Sequence, residues 1–201
     1  MTEKLIIFTR YPEVGKTKTR MIYELGKQGA ALLQKNLTEH TLMNLQNLQN
    51  INLTIYFSGG NYNLMQEWLG NNLNFIEQKE GDLGYKMQAA FADSFNNQNE
   101  RVVLIGTDCP DLNVNIINDA FSKLKNSDLV LGPAADGGYY LIGLSRYIPE
   151  LFININWGTS EVFRQTQKIA NQLNLKSCNL PLLADVDRPE DLSIWEKYVN
   201  K

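Results

Sequence analysis

Two acidic segments, a basic loop and a paired glycine turn are the parts of this chain whose residue types could do chemistry. The run Val102-Val103-Leu104-Ile105-Gly106-Thr107-Asp108-Cys109-Pro110-Asp111-Leu112 is apolar until it stops near Asp108, and Asp111 follows three residues later. A β-branched and leucine run bounded by Gly and Pro reads as an interior strand of an α/β sheet. Ligands of such sheets gather beyond the carboxyl ends of the strands. Asp108 stands at that end, where a carboxylate can hold a divalent cation against phosphate oxygens. Asp111 reads instead as the cap of a helix that begins near Asn113.

The loop Arg10-Tyr11-Pro12-Glu13-Val14-Gly15-Lys16-Thr17-Lys18-Thr19-Arg20 carries four cations between a strand and a helix. A helix start offers free N–H groups and a favourable dipole to an anion. With Arg10, Gly15, Lys16, Lys18 and Arg20 the loop suits a di- or triphosphate, and Arg adds bidentate contacts. The bland alternative is a solvated basic turn. Gly15-Lys16-Thr17 imitates the end of a P-loop, but the position that needs the first glycine is Arg10, and Pro12 stiffens the loop. A P-loop NTPase is rejected on that ground.

Asp136-Gly137-Gly138-Tyr139 places a carboxylate before two glycines that tolerate close approach of a ligand to backbone, although a plain turn between strands needs the same glycines. Trp157 precedes a helix that Thr159 or Ser160 would cap; its ring either stacks on an acceptor or is buried. Asp185-Val186-Asp187-Arg188-Pro189-Glu190-Asp191 has the chemistry of a helix start, with Asp187 a reasonable N-cap. The single histidine, His40, lies in a helical stretch, and no G-x-S-x-G elbow is present, so a Ser-His-Asp mechanism is excluded.

These residues need a frame. Strand signals at 5–9, 53–57, 73–77, 102–105, 129–131, 139–144 and 176–180 alternate with helical ones at 18–48 (broken near 26–29), 64–69, 83–95, 116–124, 160–173 and 190–199. The alternation predicts a three-layer α/β/α sandwich on a mostly parallel, mixed sheet, with 129–131 or 139–144 antiparallel. With 201 residues and no linker or repeat, the expectation is one domain spanning 1–201. A net charge of −3 argues against nucleic acid as the main partner. The apolar run at the start is too short for a membrane span, and two cysteines in no ligand spacing fit a reduced, cytoplasmic protein.

Taken together, Phe8-Thr9-Arg10-Tyr11-Pro12, Gly15-Lys16, Lys18-Thr19-Arg20, Gly81-Asp82-Leu83-Gly84, residues 106–112, Gly132-Pro133, residues 136–143, Trp157, and residues 185–187 with 189–192 resemble a bacterial GT-A-type family. That family, once a domain of unknown function, is labelled glycosyltransferase A-like, associated with radical-SAM proteins and selenodomains and linked by name to arsenosugar biosynthesis. It is similar to the nucleotide-diphospho-sugar transferases, including molybdenum-cofactor and phospholactate nucleotidyltransferases. The resemblance implies that Asp108 is the acid of a DxD-like metal site. Likeness to sugar cytidylyltransferases implies that Asp187 is a second ligand for Mg²⁺ or Mn²⁺. Arg188 stands where a threonine is frequent in that segment.

The expected function is therefore metal-dependent transfer from a nucleotide sugar to a small-molecule acceptor, in the manner of a glycosyltransferase. Asp108 and Asp187 would hold the metal, and Lys16, Lys18 and Arg20 would neutralise the phosphates. Asp136, with Gly137, Gly138, Tyr139 and Trp157, would orient the acceptor or take its proton. The alternative is nucleotidyl transfer from an NTP to a phosphorylated small molecule, with pyrophosphate leaving, which a tri-cationic loop would assist. A second alternative is a nucleotide-binding protein without chemistry.

Overall fold

The computed structural model describes residues 2–199. Seven strands form one sheet in the order β3-β2-β1-β4-β6-β5-β7. They are β1 (Glu3–Arg10), β2 (Ile51–Ser58), β3 (Asn74–Glu77), β4 (Arg101–Ile105), β5 (Leu129–Pro133), β6 (Tyr139–Leu144) and β7 (Ser177–Asn179). β6 runs antiparallel to β4 and β5; every other pairing is parallel. The mixed sheet is the one the close spacing of the 129–131 and 139–144 strands predicts.

Strand periodicity divides the core into two sides. Leu5, Ile7, Val103 and Ile105 face one side with Met65 of α2 (Tyr62–Leu69) and Ile117, Ala120 and Phe121 of α4 (Val114–Leu124). Ile6, Phe8, Val102 and Leu104 face the other, with Met87 and Phe91 of α3 (Leu83–Asn96) and Ala170 of α5 (Val162–Gln172). All five residues of β4 are buried, as a central strand covered on both faces requires. The long α1 (Ile22–Asn44) and the final α6 (Leu192–Val199) share a third cluster through Leu33, Leu37, Ile194, Trp195 and Val186. Three layers result.

The predicted break in the first helix is real: Gly26 has φ 69° and ψ 171° inside α1, a conformation open to glycine. Caps differ from expectation at three places. Asn113, not Asp111, caps α4, its side chain accepting from the backbone N–H groups of Asn115 and Ile116 at 3.0 and 3.3 Å. Asp187 is not the cap before α6; the Asp191 carboxylate accepts from the backbone N–H groups of Asp187 and Arg188 at 3.1 and 2.8 Å. α5 has no side-chain cap, and Thr159 Oγ1 accepts from Glu161 N one residue before the helix. Among the described residues no helix is long and apolar enough to cross a membrane.

Candidate functional site

The topology brings four segments to one edge of the sheet. β1 continues three residues beyond Ile7, which pairs with Ile105 at the end of β4, and so delivers Arg10 past the end of β4. Because β6 is antiparallel, it begins where β4 ends: Gly106 N donates to Tyr140 O at 3.2 Å. The turn at 134–138 thus reaches the same edge. The segment after β7 follows, bridged through Leu183 to Ala134, and Val186 N donates to Asp108 O at 2.8 Å. That backbone bond sets Asp187 beside Asp108, two residues 79 positions apart in sequence. A cleft of about 710 Å³ opens here, lined among others by Arg10, Lys18, Arg20, Asp108, Asp136 and Asp187.

Lys18 is the centre of its charge pattern. Its Nζ lies 2.8 Å from Asp108 Oδ1 and 3.5 Å from Asp187 Oδ1, and donates to Val186 O at 2.7 Å. Only 4% of the side chain is exposed. Burial alone would lower the ammonium pKa, but Asp108 and then Asp187 outweigh it, and the net shift is upward. Its backbone stands at φ 45°, ψ 45°, a left-handed conformation costly for a residue with a Cβ. Asp187 is also held by Arg20. Lys18, expected at the phosphates, therefore faces the two carboxylates.

Three other expectations change. Lys16 is 71% exposed, does not line the cleft, and pairs with Glu13 at 2.6 Å. Gly15 likewise stays outside, against the Lys27 stem. Gly137 (φ 90°) is demanded by protein rather than ligand: a Cβ there would overlap the Ser160 backbone, and its carbonyl accepts from Phe163 N at 3.0 Å. Asp136 does line the cleft, its Oδ1 accepting from Gly138 N at 2.8 Å. Gly138 and Tyr139 line it too, and Trp157 stands edge-on to Tyr139 with centroids 6.4 Å apart. Gly84 leaves the room that the Trp157 indole occupies, which accounts for the Gly81-Asp82-Leu83-Gly84 motif together with Asp82, the cap of α3.

Further residues share the site. Asp185 lines the cleft, and its carboxyl is pushed up to about 6, first by burial and then by the negative charge of Asp136. Beneath the cleft Thr9, Gln34, Thr38 and Thr107 form a buried polar cluster, with Thr9 Oγ1 to Thr38 Oγ1 at 2.8 Å and Gln34 Nε2 to Thr38 Oγ1 at 3.2 Å. It ties the ends of β1 and β4 to α1. Gln34 and Thr38 are one helical turn apart, the only hint in the sequence. Lys86 of α3 also faces the cleft. Cys109 is buried, and burial followed by the Asp108 charge keeps its thiol protonated, so it offers no thiolate. His40 is a structural residue: its Nε2 bonds Pro110 O at 3.0 Å, and its ring packs edge-on against the stacked rings of Trp195 and Tyr198. Asp111 accepts from the Tyr198 hydroxyl.

The donor set fits a hard divalent cation. Among the described residues no three His, Cys, Asp or Glu side chains converge as a metal cage. Mg²⁺, however, is commonly held by one or two carboxylates, with water and substrate phosphates completing the shell. Asp108 and Asp187 supply two carboxylates drawn around one cation already, the Lys18 ammonium.

Residues 41–159 match the family described as an uncharacterized protein conserved in bacteria, DUF2064. A candidate nucleotide-diphospho-sugar transferase from Desulfovibrio desulfuricans G20 is 35% identical, with a TM-score of 0.91, over 100% of this chain and 89% of that one. The 4-diphosphocytidyl-2C-methyl-D-erythritol synthase of Anaerococcus prevotii DSM 20548 superimposes with TM-score 0.66 at 9% identity, covering 100% and 97% of the two chains. The manganese complex of Rv0371c from Mycobacterium tuberculosis H37Rv does so with TM-score 0.58 at 13% identity, covering 98% and 100%. The last two share the fold. No protein of curated function matches the chain by sequence. Matched over more than half its length by the family and along all of it by a relative of one-third identity, the chain belongs to the DUF2064 family and is a transferase of the GT-A-like nucleotide-diphospho-sugar transferase superfamily.

Proposed function

We propose that residues 1–201 act as one transferase domain that takes a nucleotide sugar with Mg²⁺ or Mn²⁺ and passes the sugar to a small-molecule acceptor. The observation that carries this reading is the convergence of Asp108 and Asp187 on one cation in a cleft that also holds Arg10 and Arg20, with Asp136 lining the same space. Asp108 and Asp187 would hold the metal, which when bound supplies Lewis-acid stabilisation to a departing diphosphate. Arg20 and Arg10 are placed to neutralise charge on the phosphate oxygens. Until a metal takes that place, Lys18 would keep the two carboxylates together against their mutual repulsion. Asp136, its other oxygen anchored by Gly138 N, would accept the proton of the attacking hydroxyl.

The charge distribution supports glycosyl over nucleotidyl transfer. Pyrophosphate departure calls for dense cationic support, and of the three loop cations counted for it Lys16 is turned outward and Lys18 is committed to carboxylates. The Mn²⁺ complex of Rv0371c supports the metal on a shared fold. The test is incubation with nucleotide sugars, and separately with NTPs and sugar phosphates, in Mn²⁺. Release of nucleoside diphosphate from the first set is expected; robust pyrophosphate release from the second would replace this reading with nucleotidyl transfer.

A further inference from the structure

The cations of the cleft differ in how far they are already engaged. Lys18 holds Asp108 and Asp187, Arg20 holds Asp187, and Arg10 Nη1 donates to Lys16 O at 3.2 Å. Lys86 lines the cleft from α3, half-buried, with no side-chain hydrogen bond or ion pair among the described residues. A lysine ammonium offers three rotatable N–H donors to an anion.

Its surroundings differ in kind from the phosphate loop. Leu83, one turn before Lys86, lines the cleft while 47% exposed. Trp157 lies over Gly84 and edge-on to Tyr139, and its indole N–H has no acceptor among the described residues. Tyr139 reaches the Met87 sulfur at 3.9 Å. This wall joins the Asp136 turn, because Gly137 O accepts from Phe163 N at the start of α5, just beyond Trp157. Two polar donors lining one cleft among apolar and aromatic side chains suit a particular ligand type: an oxyanion carried on an apolar or ring-shaped body.

We propose that Lys86, Trp157 and Leu83 form the acceptor end of the cleft, and that the acceptor is a small molecule carrying a carboxylate or phosphate beside an apolar or ring face. The oxyanion pairs with Lys86 and the Trp157 N–H, the body lies on Leu83 and the Trp157 and Tyr139 rings, and the acceptor hydroxyl is presented towards Asp136. This assignment rests on the transferase reading above, since it takes the Arg10 and Arg20 end for the nucleotide.

The test is calorimetric titration of the whole chain with phenyl phosphate, phenylacetate and neutral 2-phenylethanol, each with and without saturating nucleoside diphosphate and Mn²⁺. The proteins are wild type, Lys86→Gln, Lys86→Arg and Trp157→Phe. At least about a tenfold preference for the anions over the alcohol is expected, the scale of a charge-assisted hydrogen bond. It should persist with nucleotide bound, vanish in Lys86→Gln, return in Lys86→Arg and weaken in Trp157→Phe. The tighter of the two anions names the source of the oxyanion. Equal binding of anion and alcohol by wild type overturns the proposal, as does loss of nucleoside diphosphate affinity in Lys86→Gln equal to the loss for the phenyl anions. Failure of wild type to bind nucleotide with Mn²⁺, while the Lys86-dependent anion preference stands, would strike the transferase reading instead.

Discussion

Replacing Lys18 with Met should turn a chain that binds Mn²⁺ weakly by itself into one that binds it well. In the native arrangement an ammonium already contacts both carboxylates, at 2.8 Å from Asp108 and 3.5 Å from Asp187. A dication held by Asp108 and Asp187 would repel that charge, and a separation on the order of 4 Å sets the scale. Their repulsion is then about 2 kcal/mol at a water-like dielectric and about 8 kcal/mol at an effective dielectric near 20. The lysine stem can swing away, so the low figure is the working one, and it corresponds to about thirtyfold in affinity. Met keeps a stem of similar length and removes the ammonium, its charge and its hydrogen bond to Val186 O. Titration of free Mn²⁺ by electron paramagnetic resonance, without nucleotide, should give Lys18→Met at least about tenfold tighter binding than wild type, with Lys18→Arg resembling wild type. Nucleoside diphosphate should strengthen Mn²⁺ binding more in wild type than in Lys18→Met, since phosphate charge offsets an ammonium only where one is present. In chelator the variant should be less stable by about 1–3 kcal/mol. That lies below the 3–5 kcal/mol for a broken buried pair because Asp108 and Asp187 remain 45% and 33% exposed. Equal Mn²⁺ affinity in wild type and Lys18→Met would refute the reasoning that this ammonium and the metal compete for one place.

Three further outcomes follow from the same geometry. Gly137→Ala should lose at least about 2 kcal/mol in urea unfolding, because an Ala at φ 90° is strained and its methyl meets Ser160 backbone that cannot yield cheaply; an unchanged midpoint would remove the account of this glycine. Thr38→Val, nearly isosteric, should cost about 1–3 kcal/mol by stranding Thr9, Gln34 and Thr107 in a buried polar cluster, measured the same way in chelator. Far from the cleft, Asp128 accepts from Lys176 N at 2.9 Å and pairs with Arg146, and these contacts, the Lys176 bond first, hold its carboxyl below the usual value of 3.8. A depressed acid stabilises the fold above its unfolded pKa and loses that contribution as pH falls through the folded one. Asp128→Asn should therefore flatten the loss of stability below about pH 4 and leave its slope between pH 6 and 8 unchanged, as urea titrations across pH would show.

Much of the frame was legible in local sequence. The apolar run 102–105 declares a strand buried on both faces, and alternation of Leu5 and Ile7 with Ile6 and Phe8 declares one packed between two helical layers. Asp108 follows directly, since an acid at the carboxyl end of such a strand is displayed at the ligand-binding edge. Cap assignments were poorer. Asp111 and Asp187 have the right chemistry to cap a helix, but Asn113 and Asp191 stand nearer the free N–H groups. An offset of two residues in one case and four in the other settles the competition, and composition does not distinguish the candidates.

The sequence by itself determined the α/β alternation, the strand-end acid and the basic loop, because each is written in contiguous residues, and the resemblance of its ordered segments implied a nucleotide-utilising transferase. The tertiary structure alone decided which of those charges meet. Lys18 lies 90 residues before Asp108 and 169 before Asp187, and the three converge through sheet order and one backbone bond from Val186 to Asp108. The same closure turns Lys16 outward, gives Gly137 to the start of α5 and leaves Lys86 facing the cleft without a partner among the described residues. Charge in a sequence is a count. Its effect depends on distance and burial, and those exist only after the strands have paired.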